Sequence, residues 1–145
     1  MPHTIVRSDS GLASELRICV MRLARRLRLE RSDDSMSLNQ LAAMGTLERH
    51  GTMTIGELAA HEKVRPPSMT RTVACLEETG HARRAPHADD KRQVVVQLTE
   101  LGRERILADR QRREAWLAQR ITELTRAERD ALRAAAPILE RLAAW

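Results

Sequence analysis

Two adjacent prolines, Pro66 and Pro67, followed at a short distance by Gly80, confine residues 65–80, RPPSMTRTVACLEETG, to one short helix. A residue before proline is pushed out of the helical region, so Pro66 reads as extended. Pro67 then reads as the first helical residue, where a missing N–H forfeits no partner. Gly80 suits the left-handed position just past a helix end. At helical spacing Met69, Thr72, Val73 and Leu76 share one side, Pro67, Arg71, Ala74 and Glu78 lie opposite, and Ser68 and Thr70 take the flanks. Such a helix is fastened along one apolar edge and leaves a Ser-Thr-Arg front end free.

The segments on either side supply companions for it. From Leu12 to Leu29, the residues Leu12, Leu16, Cys19, Val20, Leu23 and Leu27 recur three or four apart, with Arg17, Arg22, Arg25 and Arg28 off that stripe. Ser37 stands three before Gln40, a capping-box spacing, ahead of a helix ending near Gly51. Thr54 and Glu57 repeat the device for a short helix, and a turn follows at Lys63-Val64-Arg65. After Gly80, HARRAP and RQVVVQLT read as two strands joined by HADDK, with Val94, Val96 and Leu98 facing inward against Val95 and Gln97. Thr99 caps a helix running to about Leu124, and Thr125 with Glu128 opens a last helix carrying Leu132, Ala135, Ala136, Leu139 and Leu142.

Composition narrows the partners. The chain has 145 residues, 42% hydrophobic and 31% charged, with a formal net charge of +5, values that suit one globular domain with an affinity for polyanions. Lys63 and Lys91 are the only lysines, so the positive charge sits on arginines, whose planar fork binds phosphate or a guanine edge in two places at once. Phe and Tyr are absent and Trp116 and Trp145 are the only aromatic residues, which argues against single-strand binding by base stacking. No run approaches a membrane span, and the start lacks a basic-then-apolar signal region, so a cytoplasmic protein is expected. Cys19 and Cys75 lie far apart and His3, His50, His61, His81 and His87 are scattered, so neither a disulfide framework nor a zinc site is expected. No nucleophile motif or phosphate-cradling glycine loop stands out, so neither catalysis nor a cofactor is expected.

Helix, turn, helix and then a two-stranded hairpin is the order of a winged helix-turn-helix, whose second helix enters the major groove of duplex DNA while the hairpin reaches for the backbone or minor groove. Ser68, Thr70 and Arg71 then face outward at a helix N-terminus, where unpaired N–H groups and the helix dipole favour phosphate. Arg71 is the candidate base reader. Ser68 and Thr70 either bond phosphate or cap the backbone.

The resemblance extends to a family. Residues 37–102 and the final Leu-Thr-x-x-Glu helix resemble the MarR family of bacterial transcription regulators, most sharply in Asp90-Lys91-Arg92 followed by Val96-Gln97-Leu98-Thr99 and Gly102, which is similar to that family's wing signature. The resemblance implies a mainly α fold of the α+β kind: a single domain over residues 1–145, with a winged helix-turn-helix lobe at 37–99 and dimerisation helices at 10–30 and 100–145. It implies that Arg92 reaches the minor groove with Asp90 holding it. With Pro67 on the docking helix and Arg84 and Lys91 on the wing, these complete the expected DNA-binding set. The family's usual serine before the recognition-helix proline is here Arg65 and its turn glycine is Lys63; Arg65 either contacts phosphate or is merely solvated. The resemblance also implies a homodimer on a pseudo-palindromic operator and, in many members, release by a small aromatic or anionic effector. Arg22, Arg25, Arg26 and Trp116 are candidates to line that effector's cleft, the alternative being a solvated arginine face. Cys19 reads as a core residue, since the tyrosines that support the thiolate in the family's peroxide-sensing members are missing here. Besides a repressor, two other functions remain open from sequence: a helical protein-interaction adaptor and a nonspecific nucleoid binder.

Overall fold

The computed structural model describes residues 9–31 and 33–145. Helix α1 (Asp9–Leu29) is followed by α2 (Leu38–His50), a two-residue strand β1 (Met53–Thr54), α3 (Ile55–His61) and α4 (Pro66–Glu78). Strands β2 (Ala82–Pro86) and β3 (Val94–Leu98) come next, then α5 (Glu100–Thr122) and α6 (Arg126–Ala143). The fold is mainly α with one small antiparallel sheet, as the sequence leads one to expect. The chain forms two compact units, one of residues 31–112 and the other of the described residues up to 30 with 113–145; the boundary falls within α5.

Local chemistry sets the helix ends. All three capping boxes form, with the Ser37, Thr54 and Thr125 hydroxyls accepting from the amides of Gln40, Glu57 and Glu128. Helix α4 starts one residue earlier than expected: Arg65 is the extended N-cap at φ −71, ψ 142, and both prolines lie in the first turn. The pre-proline restriction acts on Arg65, whereas Pro66, with its φ already near the helical value, joins the helix despite Pro67. Helix α3 closes with Lys63 at φ 54, its N–H donating to Ala60 O (3.2 Å) and that of Val64 to Ala59 O (3.0 Å). That left-handed position is normally taken by glycine. Gly80, at φ 78, closes α4 in the same way, as expected.

In the 31–112 unit, Met44, Leu58, Val73, Leu76 and Val96 are fully buried and form the centre of a core without Phe or Tyr. Burial of Val73 and Leu76 contributes about 1.5–3 kcal/mol each and fixes which face of α4 is turned outward. The sheet has β3 in the middle, with Met53 opposite Val96 and Thr54 opposite Val95 on one edge, and Ala82 opposite Leu98 through Pro86 opposite Val94 on the other. The expected hairpin is therefore a three-stranded sheet; Val96 lies in the core and Leu98 packs against it as expected, whereas the assignments of Val94 and Val95 are corrected. Val95, expected outward, is buried, while Val94, expected inward, sits at the strand's end with no partner on β1 and is 49% exposed.

Thr99 caps α5 as expected, accepting from the Gly102 amide (3.1 Å) and donating to Gly80 O (2.5 Å). A Cβ on Gly102 would stand 2.0 Å from the His81 carbonyl oxygen, so only glycine permits this approach. Further along α5, Arg105 joins the fully buried Asp109 (3.2 Å) to Asp33 in the segment before α2 (3.3 Å). The Ser35 hydroxyl and amide, with help from Arg105, hold the Asp33 carboxyl below its usual pKa.

The other unit is all helical. Neither α1 nor α6 buries a residue, and Leu12, Val20, Leu23, Leu132, Leu139 and Leu142 are all exposed. Cys19, expected in the core, is exposed on the same account. Among the described residues no helix is long and apolar enough to cross a membrane.

Candidate nucleic-acid interface

The outward face of α4 carries Arg71, exposed and without a side-chain partner among the described residues. Arg65 is exposed too and makes no side-chain capping bond. The backbone at this helix end is not the phosphate cradle that the sequence suggests. Pro66 and Pro67 have no N–H to offer, and the amides of Ser68 and Met69 both donate to Arg65 O, at 3.0 and 3.2 Å. Thr70 is likewise occupied, its hydroxyl donating to Pro66 O at 3.0 Å. Ser68 is half-buried and Pro67 exposed. The donors left free at this end are therefore on side chains, the exposed Arg71 among them.

Ser68, Arg71 and Thr72 share an open cleft of about 310 Å³ with Ser37, Asn39, Gln40 and Cys75. Asn39, an exposed residue in the first turn of α2, is a candidate contact that the sequence reading missed. The Ser37–Gln40 capping box marks a helix start there, but only the packing of α2 against α4 brings it beside Arg71.

The wing is ordered by local bonds. Asp90 O accepts from the Gln93 amide (3.0 Å), which makes Lys91 and Arg92 the two central residues of a β-turn at the tip. Asp90 Oδ1 accepts from the Arg92 amide (3.1 Å) and stands 3.6 Å from Arg92 Nε. The Arg92 side chain is 96% exposed, and Lys91 is exposed beside it. At the base of the loop the His87 amide donates to Gln93 O (3.0 Å), and His87 Nδ1 accepts from the amides of Asp89 (3.1 Å) and Asp90 (3.2 Å). Arg84 differs from the rest of the expected set. Its Nε donates to Glu77 Oε1 at 2.6 Å, so this guanidinium clamps β2 to α4.

Of the residues expected to line an effector cleft, two come together. The Arg26 guanidinium lies 4.7 Å from the Trp116 ring centroid and also pairs with Glu30 at 2.7 Å. Arg120, which the sequence reading did not single out, covers the same ring at 5.6 Å. Arg22 and Arg25 are exposed and do not stack on the indole, whose Nε1 is buried without a hydrogen-bond partner among the described residues. Among the described residues no three His, Cys, Asp or Glu side chains gather as metal ligands, and His3 lies outside those residues.

A helix-turn-helix whose second helix is packed by one edge, followed by a hairpin with a cationic tip, defines a winged helix-turn-helix DNA-binding protein. The comparisons with known proteins agree and make the class specific. The chain belongs to the MarR family of transcriptional regulators, whose family profile matches residues 36–94. It is 50% identical over 132 residues to an HTH-type transcriptional regulator of Mycobacterium tuberculosis, covering 91% of this chain and 92% of that one. Among solved structures it is similar to a Pseudomonas aeruginosa protein described as a transcriptional regulator, with TM-score 0.83, 38% identity and coverage of 94% and 97%. A MarR family protein of Bacillus stearothermophilus shares the fold, with TM-score 0.82 at 21% identity over 94% and 95% of the two chains. The chain is accordingly a DNA-binding transcriptional regulator and not an enzyme.

Proposed function

We propose that the chain acts in the cytoplasm as a homodimeric repressor that occupies a pseudo-palindromic operator. The observation that carries this reading is the pair of exposed arginines on one lobe, Arg71 on α4 without a side-chain partner among the described residues and Arg92 at the turn tip, 96% exposed with only its Nε near Asp90 Oδ1 at 3.6 Å. Arg71 reads a base edge in the major groove, and Arg92 enters the adjacent minor groove. Lys91 and Arg65 supply phosphate contacts, with Ser68, Thr70 and Pro67 lining the docking surface. The apolar residues exposed along α1 and α6 support two-fold association. A dimer presents two recognition helices to grooves about 34 Å apart. The Trp116 ring between Arg26 and Arg120 supports an aromatic or anionic effector that lowers DNA affinity.

Selection of duplexes from a random-sequence pool by the purified full-length chain tests the reading. A recovered motif with two-fold symmetry is the expected result. Recovery of no motif, with equal retention of every duplex, would leave a nonspecific nucleoid binder; retention of no DNA at nanomolar protein would leave the protein-interaction adaptor.

A further inference from the structure

We infer that His87 is the positioning residue of the wing, acting through Nδ1 as an acceptor to hold the turn that carries Lys91 and Arg92. The inference rests on the proposed reading of the wing as a DNA contact, and it adds a residue that the DNA-binding set does not include. His87 is half-buried at the foot of the loop, where β2 ends. Its ring nitrogen accepts two consecutive backbone amides, from Asp89 at 3.1 Å and Asp90 at 3.2 Å, while its own amide closes the base of the loop on Gln93 O at 3.0 Å.

These bonds form a chain of dependence. The ring fixes the backbone of Asp90. The Asp90 carboxylate then accepts the Arg92 amide at 3.1 Å, and the Asp90 carbonyl closes the turn on Gln93 at 3.0 Å. Arg92, 96% exposed, is oriented by the backbone beneath it and by the Asp90 carboxylate 3.6 Å from its Nε, both of which depend on where Asp90 is held. Ordering one residue of a loop costs about 1–2 kcal/mol of conformational entropy, and a single acceptor that restrains two successive amides offsets part of that before DNA arrives. Accepting both amides requires a bare lone pair on Nδ1, so the ring proton resides on Nε2. A histidine serving only to fill space would have no such tautomer requirement.

The chemistry names its own substitute. Asparagine Oδ1 stands the same number of bonds from the main chain as Nδ1 and accepts two amides, so His87→Asn retains the acceptor, whereas His87→Ala removes it. With a duplex recovered by selection as the probe, H87A is expected to bind about tenfold more weakly, the scale of one misplaced arginine contact, and H87N within about twofold of the parent. Combining H87A with R92A should weaken binding by no more than about twofold beyond R92A alone, because the ring acts through that arginine and its turn. Long-range nitrogen-proton correlation spectra of the free full-length protein at neutral pH should show the His87 proton on Nε2. H87A binding like the parent, or losing as much in the R92A background as alone, overturns the inference, as does a proton found on Nδ1. Should H87A fold poorly, H87N and the nitrogen spectra still decide. If R92A itself binds like the parent, the DNA reading of the wing is what fails, and the spectra then judge the ring's hold on the loop separately.

Discussion

Arg71 and Arg84 look alike in the sequence and differ in the fold. Arg71 has no partner among the described residues, whereas Arg84 is bonded to Glu77 at 2.6 Å. R71A is therefore expected to leave stability within about 0.5 kcal/mol of the parent while costing about 1–3 kcal/mol of operator binding and relaxing preference at one base position. R84A should do the reverse, lowering stability by less than about 1 kcal/mol, as a partly exposed pair does, with a smaller effect on DNA. Titration of both variants against selected and scrambled duplexes, beside urea unfolding, separates the two roles. His81 makes a second case at this scale. Burial, and after it the charge of Arg105, lowers its imidazole pKa from the usual 6.5. The unfolded chain thus takes up that proton more readily than the folded one, so this contribution to stability is complete above about pH 6.5 and is lost as acidification carries the pH toward the lower folded value. The urea midpoint should fall over that window, and less steeply in H81Q. The front end of α4 could be placed from sequence because helix spacing alone decides its faces. Arg84's attachment to Glu77, Arg105's to Asp33 and Asn39's place beside Arg71 could not, since each depends on which elements meet.

At the scale of elements, two positions test whether backbone geometry has been read correctly. Gly102 lies where an added Cβ would meet the His81 carbonyl at 2.0 Å, so G102A must push α5 off the end of the sheet. A loss of about 2 kcal/mol or more is expected, visible as a lowered unfolding temperature. Lys63 holds a left-handed backbone, φ 54, and K63G should stabilise the chain by about 0.5–1 kcal/mol if the relief of that strain outweighs the entropy added to the unfolded chain. An unchanged midpoint for K63G would show that the two terms cancel. Helices were legible in the sequence because their caps are local: three boxes, each spanning four residues, all form. Strand β1 was not, because Met53 and Thr54 become a strand only by pairing with Val96 and Val95. Alternation also misjudged the valines, since Val95 and Val96 are both buried although they point to opposite faces, while Val94 at the strand's end is exposed.

For the whole molecule, the exposed leucines of α1 and α6 raise the question of self-association. Light scattering of the full chain should give twice the monomer mass, and L139E or L23E should shift it toward one copy, with loss of binding to a two-fold motif while single-site contacts persist. One further consequence follows from the prolines at the head of α4. With no main-chain hydrogen left to hand to a phosphate there, the proposed reading puts both address and grip at that end in a few replaceable surface groups. Exchanging those groups alone is then expected to redirect such a protein to a different promoter while the interior stays as it was.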